Sequence, residues 1–345
     1  MLYHIREGAS GSLPPGVIDF FAKGYLAVDF FFILSGFVIW LNYGPLLRER
    51  GWRAVPQFLG RRIARIYPLH LLMLAAAIGF ALVCLATGRG MPAGFAWETL
   101  PLHLLLVQNM GLVDQLGWNV PAWSISCELA AYLLFPLIAV GFDWRRLSSG
   151  VLLALSALLM LALSGLFLAS GKPLLGNDIP GLGLPRGLLE FGMGTIAAAL
   201  WLRWRAAPAV PALAAASCVA GGLAAYAAGA PETLAMPFAL DALVLLLALT
   251  AGGRTVTGGR VIHWLGEISY ATYMVHALLF LLFKILFVAD AGDVPLPLLG
   301  LFLLLVLAAS ALLHHGVERP VQRWVKRWGL GKASRFPDLA SSSRT

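Results

Sequence analysis

Apolar runs long enough to cross a membrane follow one another along this chain, almost without a break, as far as residue 314. A helix rises about 1.5 Å per residue, so about 20 apolar residues cover the hydrocarbon core. Runs such as 151–169 are apolar on every side and lack the alternation of a barrel strand. Of 345 residues 59% are hydrophobic and 12% charged, against about a quarter charged in a soluble domain, which excludes a soluble globule. The expected fold is all-α, a polytopic transmembrane helix bundle. Nine complete spans are expected near 24–43, 66–86, 121–142, 149–170, 186–202, 209–228, 236–251, 262–288 and 295–314. The segment 100–113 is too short to cross and carries His103, Gln108 and Asn109, which reads as a re-entrant or interfacial helix. Residues 1–328 form the membrane domain, and the polar, serine-rich 329–345 reads as a disordered tail.

Orientation follows from the basic residues. Placing 44–65, 143–148, 203–208, 252–261 and 315–345 on one side collects 19 of the 25 Lys and Arg, and that side is the expected cytoplasmic one, with the C-terminus inside. Arg186 falls at a span edge and Lys284 within a span. Topology thus accounts for the net charge of +8, with no nucleic-acid partner required. Cys84, Cys127 and Cys218 lie inside apolar runs without metal-ligand spacing, so neither disulfides nor a metal site is expected. Met1–Ile5 reads as the last turn of a membrane helix, which suggests that the chain starts after most of a first span.

Ionisable residues inside spans are costly, about 2.5–3.5 kcal/mol each on insertion scales, and mark partners or function. Asp29 lies early in the first complete span. It reads either as a carboxylate that tunes a histidine or as a helix-start acid. Beside it, Ser35 and Gly36 read as small residues for close helix packing. Arg62 and Arg65 share a helix face at the mouth of the next span, followed by Tyr67 and Pro68. Two guanidiniums at that spacing can clamp phosphates, and basic residues are expected there in any case. Ser124, Glu128 and Tyr132 recur every four residues as a polar stripe, preceded by Trp118 and Trp123. Ser269, Tyr273 and His276 form a second stripe, either lining a cavity or joining helices. Glu190, Asp241 and Glu267 complete the buried acids, and 314–320 reads as a helix terminus at the inner surface.

Five ordered elements, 28–37 around Asp29, the Arg62–Arg65 pair with Tyr67–Pro68, 123–128, 268–276 and 318–320, resemble the acyltransferase-three family of integral-membrane O-acyltransferases. The resemblance covers 1–320. It implies about ten membrane helices in the bacterial inner membrane and transfer of an acyl group, commonly acetyl, from cytoplasmic acyl-CoA to an extracytoplasmic carbohydrate hydroxyl. The family's first helix carries an arginine and, eleven positions on, a histidine. His4 matches that histidine, and the arginine would precede Met1. The implied roles are His4 as base with Asp29 or Glu128, and Arg62, Arg65 and Tyr67 on the donor. Trp123, Ser124, Tyr132, Ser269, Tyr273 and His276 would line the substrate cavity. The alternatives are a proton-coupled transporter using Glu128, Asp241 and His276, or an inactive membrane scaffold.

Overall fold

The computed structural model describes residues 2–6, 8–251, 259–288, 294–325 and 327. The expected tail, 329–345, lies outside the described residues. The helices in chain order are α1 (Leu2–Ile5), α2 (Pro15–Ala22), α3 (Leu26–Arg50), α4 (Val55–Ala86), α5 (Leu100–Leu104), α6 (Ala122–Gly141), α7 (Ser149–Ala169), α8 (Ile179–Trp204), α9 (Ala209–Ala227), α10 (Glu232–Thr250), α11 (Arg260–Phe287) and α12 (Leu296–Leu313). A π-helical turn, His314–Glu318, leads from α12 into α13 (Arg319–Val325). Among the described residues nine helices have 18 residues or more, one for each expected span.

Several boundaries move, each for a local reason. Helix α4 begins at Val55, with Pro56 in its first turn, so Pro68 lies mid-helix rather than at the start. Helix α8 begins at Ile179, capped by the Asp178 carboxylate on the Gly181 amide, which places Arg186 inside the helix rather than at its edge. The 100–113 segment is helical only through Leu104. Its chain turns at Leu106, at φ 56, and continues as an irregular loop that buries Gln108 and Asn109. Residues 314–320 do not end the last helix but continue it through the π turn.

The ends of the bundle sort by charge. Arg48 at the foot of α3 lies 3.9 Å from Asp143 after α6, and Arg203 at the end of α8 donates to the Leu147 carbonyl. Arg145 holds the Asp143 carboxyl down at about 2, so this anchor stays ionised well below neutral pH. At the opposite end the Val294 amide donates to the Gly8 carbonyl, and Glu232 at the head of α10 takes hydrogen bonds from Lys23, Tyr25 and the Leu175 amide. These contacts gather Arg48, Asp143 and Arg203 at one end of the bundle, and Gly8, Lys23, Glu232 and Val294 at the other.

The closest helix contact is α3 on α8. A Cβ on Gly36 would stand 2.0 Å from the Phe191 carbonyl oxygen, and one on Gly194 would stand 1.9 Å from that of Ile33. Glycine at these two positions lets the backbones touch, the device small residues serve in membrane bundles. Gly36→Ala and Gly194→Ala should each lower the melting temperature in detergent, matching about 1–3 kcal/mol of overpacking. Gly79→Ala, whose methyl meets nothing within 4 Å, should leave it unchanged or raise it. Equal behaviour of all three variants would refute the close contact.

Candidate active site

Helices α3, α4, α6 and α11 enclose a cavity of about 280 Å³, open on one side. Its polar wall begins with Glu128 on α6. Ser35 of α3 donates to Glu128 Oε1 at 2.9 Å, and the Tyr132 hydroxyl donates to the same oxygen. The four-residue stripe of α6 therefore faces the cavity as the sequence predicts, and Ser35 is a polar partner in addition to a small packing residue.

Arg62 and Arg65 of α4 line this cavity. Arg62 Nη2 donates to the Tyr43 hydroxyl at 2.9 Å, with its guanidinium 4.9 Å from the Tyr43 ring centre and 5.8 Å from that of Tyr132. Arg65 Nη1 lies 3.2 Å from Glu318 Oε2 and stacks 5.6 Å over Tyr270. Tyr270 is itself fixed by donating to the Ile66 carbonyl at 2.7 Å. Tyr67 points elsewhere: its hydroxyl donates to the Leu105 carbonyl at 2.7 Å and holds the α5 loop against α4. The same loop is held by His70, whose Nε2 donates to the His103 carbonyl at 2.7 Å. Burial lowers the His103 imidazole below the ordinary histidine value, so it is neutral at pH 7.

Farther along α11, Ser269 and Tyr273 line the cavity, and the Tyr273 hydroxyl lies 2.7 Å from Ser124 Oγ. One turn on, His276 Nδ1 lies 2.7 Å from the Tyr273 carbonyl, which can only accept, so Nδ1 carries the proton. Nε2 is then a bare acceptor, buried and without a protein partner. The His4 ring lies 5.0 Å from that of His276, centre to centre. His4 thus sits beyond Tyr273, outside the residues that line the cavity itself.

Asp29 and Trp123 belong to a different cluster. Arg186 Nε and Nη2 donate to the two Asp29 oxygens, both at 2.6 Å, with the side chains 1% and 0% exposed. Glu190 on α8 is fully buried with neither carboxyl oxygen hydrogen-bonded, and the Arg186 guanidinium stacks 5.6 Å over Trp123. Asp29 lies in the first turn of α3, where the sequence places a helix-start acid, and is one end of the ion pair that joins α3 to α8. Trp118 and Trp123 are 2% and 6% exposed, so both are core residues.

Arg186, Tyr43, Tyr270 and Glu318 were not among the site residues expected from the sequence. Tyr270 is three residues from Tyr273 and on the same helical face, a signal that was present. Nothing local links Arg186 to Asp29, 157 residues away. Asp241 accepts from Ser156 at 3.0 Å, between α10 and α7, away from the cavity. Among the described residues no three His, Cys, Asp or Glu side chains are grouped to hold a metal.

Leaving Asp29 without its guanidinium costs about 3–5 kcal/mol, whereas an apolar pair of similar volume is far better tolerated. Arg186→Leu should abolish the detergent-stable folded fraction, and Asp29→Leu with Arg186→Leu should recover much of it, as read by size-exclusion chromatography. A double variant no better folded than the single one would show the pairing energy to be small.

Fold and site together define a multi-pass helical membrane protein with a central cavity of guanidinium, carboxylate and hydroxyl groups. The chain belongs to the acyltransferase domain family, whose profile matches residues 2–315. It is 32% identical to the acyltransferase MdmB of Streptomyces mycarofaciens, across 88% of this chain and 82% of that one. It is 27% identical to the exopolysaccharide production protein ExoZ of Rhizobium meliloti, across 85% and 84%. No solved structure matches the chain significantly. The protein is a membrane acyltransferase, and the transporter and scaffold alternatives give way to that assignment.

Proposed function

We propose that the protein transfers an acyl group, commonly acetyl, from acyl-CoA to a hydroxyl of a carbohydrate acceptor across the bacterial inner membrane. The basic end of the bundle, with the C-terminus, faces the cytoplasm, as the distribution of arginines favours. The observation that carries this reading is the polar wall of one cavity, which runs from Arg62 and Arg65 to the Ser124–Tyr273 hydroxyl pair. The name of the Rhizobium relative, an exopolysaccharide production protein, supports a carbohydrate acceptor.

In this reading the donor diphosphate enters at the arginines and displaces the Tyr43 and Glu318 contacts that now hold them. The thioester arm lies along the cavity. His4 takes the proton of the acceptor hydroxyl as its oxygen attacks the thioester carbonyl. The Ser124 and Tyr273 hydroxyls are within the same wall to stabilise the negative charge that develops on the thioester carbonyl oxygen. The tetrahedral centre then collapses, the C–S bond breaks as the ester forms, and the leaving CoA thiolate takes the proton held by His4. His276, with Nε2 unprotonated, is placed to accept from an N–H of His4 and fix its ring. It takes the orienting role that sequence reading gave to Asp29 or Glu128. Glu128 instead acts on the cavity wall, ordering Ser35 and Tyr132 around the acyl path.

Purified protein in nanodiscs, assayed with radiolabelled acetyl-CoA and oligosaccharide acceptors, tests the proposal. His4→Ala should lower kcat about 10²- to 10⁴-fold with little change in the donor KM. Arg62→Ala should raise the donor KM about tenfold or more, the loss expected for a charge-assisted hydrogen bond, with a smaller effect on kcat. Normal turnover by a folded His4→Ala protein would remove the base, and an unaltered donor KM in Arg62→Ala would remove the docking role.

A further inference from the structure

At the basic end of the bundle a second cavity, of about 390 Å³, is lined by Arg65, Glu267, His314, Arg319, Gln322 and Arg323. Arg65 lines both this cavity and the central one, so the two meet at its guanidinium. The π-helical turn shapes the wall. At about one extra residue per turn it keeps His314 and Glu318 on nearly one face, with His314 Nδ1 3.4 Å from Glu318 Oε2. Glu318, 1% exposed, is thereby held against both His314 and Arg65 and fixes them in place.

The polar groups left over in this cavity point to a ligand. The His314 side chain is 6% exposed, yet its Nε2 is buried without a protein partner, and the same holds for Gln322 Nε2. Arg319 reaches Glu267 only at 3.6 Å and is 41% exposed, and Arg323 is exposed. Three guanidiniums outnumber the two carboxylates nearby, which leaves the cavity with an excess of charged donors for an anion. Guanidiniums, an imidazole and an amide donor around one cavity suit a phosphate. Glu267, loosely held at the rim, adds an acceptor for ribose hydroxyls or an adenine amine, which bare phosphate does not offer.

We propose that this second cavity binds the phosphorylated nucleoside end of the donor, with Arg319 and Arg323 on its ribose phosphate and Arg65 at the passage to the central cavity. The inference rests on acyl-CoA being the donor. It assigns the ribose 3′-phosphate to α13 and the π turn, and leaves the diphosphate to α4. A phospholipid headgroup offers the same phosphate chemistry from the membrane side, so the test separates the two.

Binding of CoA and of 3′-dephospho-CoA is measured by calorimetry on the full chain in phosphatidylcholine nanodiscs, with and without phosphatidylglycerol. Wild-type protein should bind CoA about tenfold tighter than dephospho-CoA. Arg319→Ala with Arg323→Ala should bring CoA to the dephospho-CoA affinity, while Arg319→Lys with Arg323→Lys keeps part of the preference. Equal affinities in the wild type overturn the placement while leaving acyl-CoA as donor, and this result does not depend on any variant folding. An undiminished preference in a folded double-alanine variant overturns it too. Loss of the wild-type preference on adding phosphatidylglycerol assigns the cavity to the lipid headgroup and overturns it. If neither compound binds, the acyl-CoA reading fails and the inference falls with it.

Discussion

The seam between α3 and α8 is the constraint on which the rest of the bundle depends. Backbone meets backbone at Gly36 and Gly194, and the Asp29–Arg186 ion pair closes the same seam with both charges out of solvent. Glycine contact and ion pair serve each other. The close approach excludes water, which strengthens the attraction between charges, and the fixed guanidinium gives the seam a single register. Because α3 also supplies Ser35 to the central cavity, the seam sets where one wall of the active site stands.

On the other face of α3 the bundle is left partly unfilled, and the polar groups there are held by one another rather than by solvent. Ser35 and Tyr132 converge on Glu128, while Arg62 and Arg65 are held by Tyr43, Tyr270 and Glu318. Arg62 is presented between the Tyr43 and Tyr132 rings and Arg65 between the Tyr270 ring and Glu318, which positions both guanidiniums along the cavity wall for an incoming anion. The two arginines also divide the work: Arg62 belongs to the central cavity alone, and Arg65 to the passage between two cavities.

Much of the candidate site was legible along the chain because it lies on helices. Ser124, Glu128 and Tyr132 had to share a face at a spacing of four, and they do share the cavity wall, as do Ser269 and Tyr273. Tyr67 was grouped with Arg62 and Arg65 by adjacency, but at two residues from Arg65 it lies on another side of α4 and reaches the α5 loop. His4 and His276 meet although no periodicity connects α1 to α11. The reading of 100–113 as a helix failed beyond Leu104, since a loop that finds backbone and side-chain partners within the protein needs no helical ladder.

The sequence by itself determined the long apolar helices and the faces on which polar residues recur. Those follow from bilayer thickness and the helical repeat, which act over a few residues at a time. Only the tertiary structure decided which charges pair: Arg186 with Asp29 rather than with the interface, and Arg65 with Glu318, 253 positions away. Inside a membrane every buried charge must find some partner, but that requirement does not name the partner. The choice is made by which helix faces pack together, and the glycines of α3 and α8 make the first of those choices.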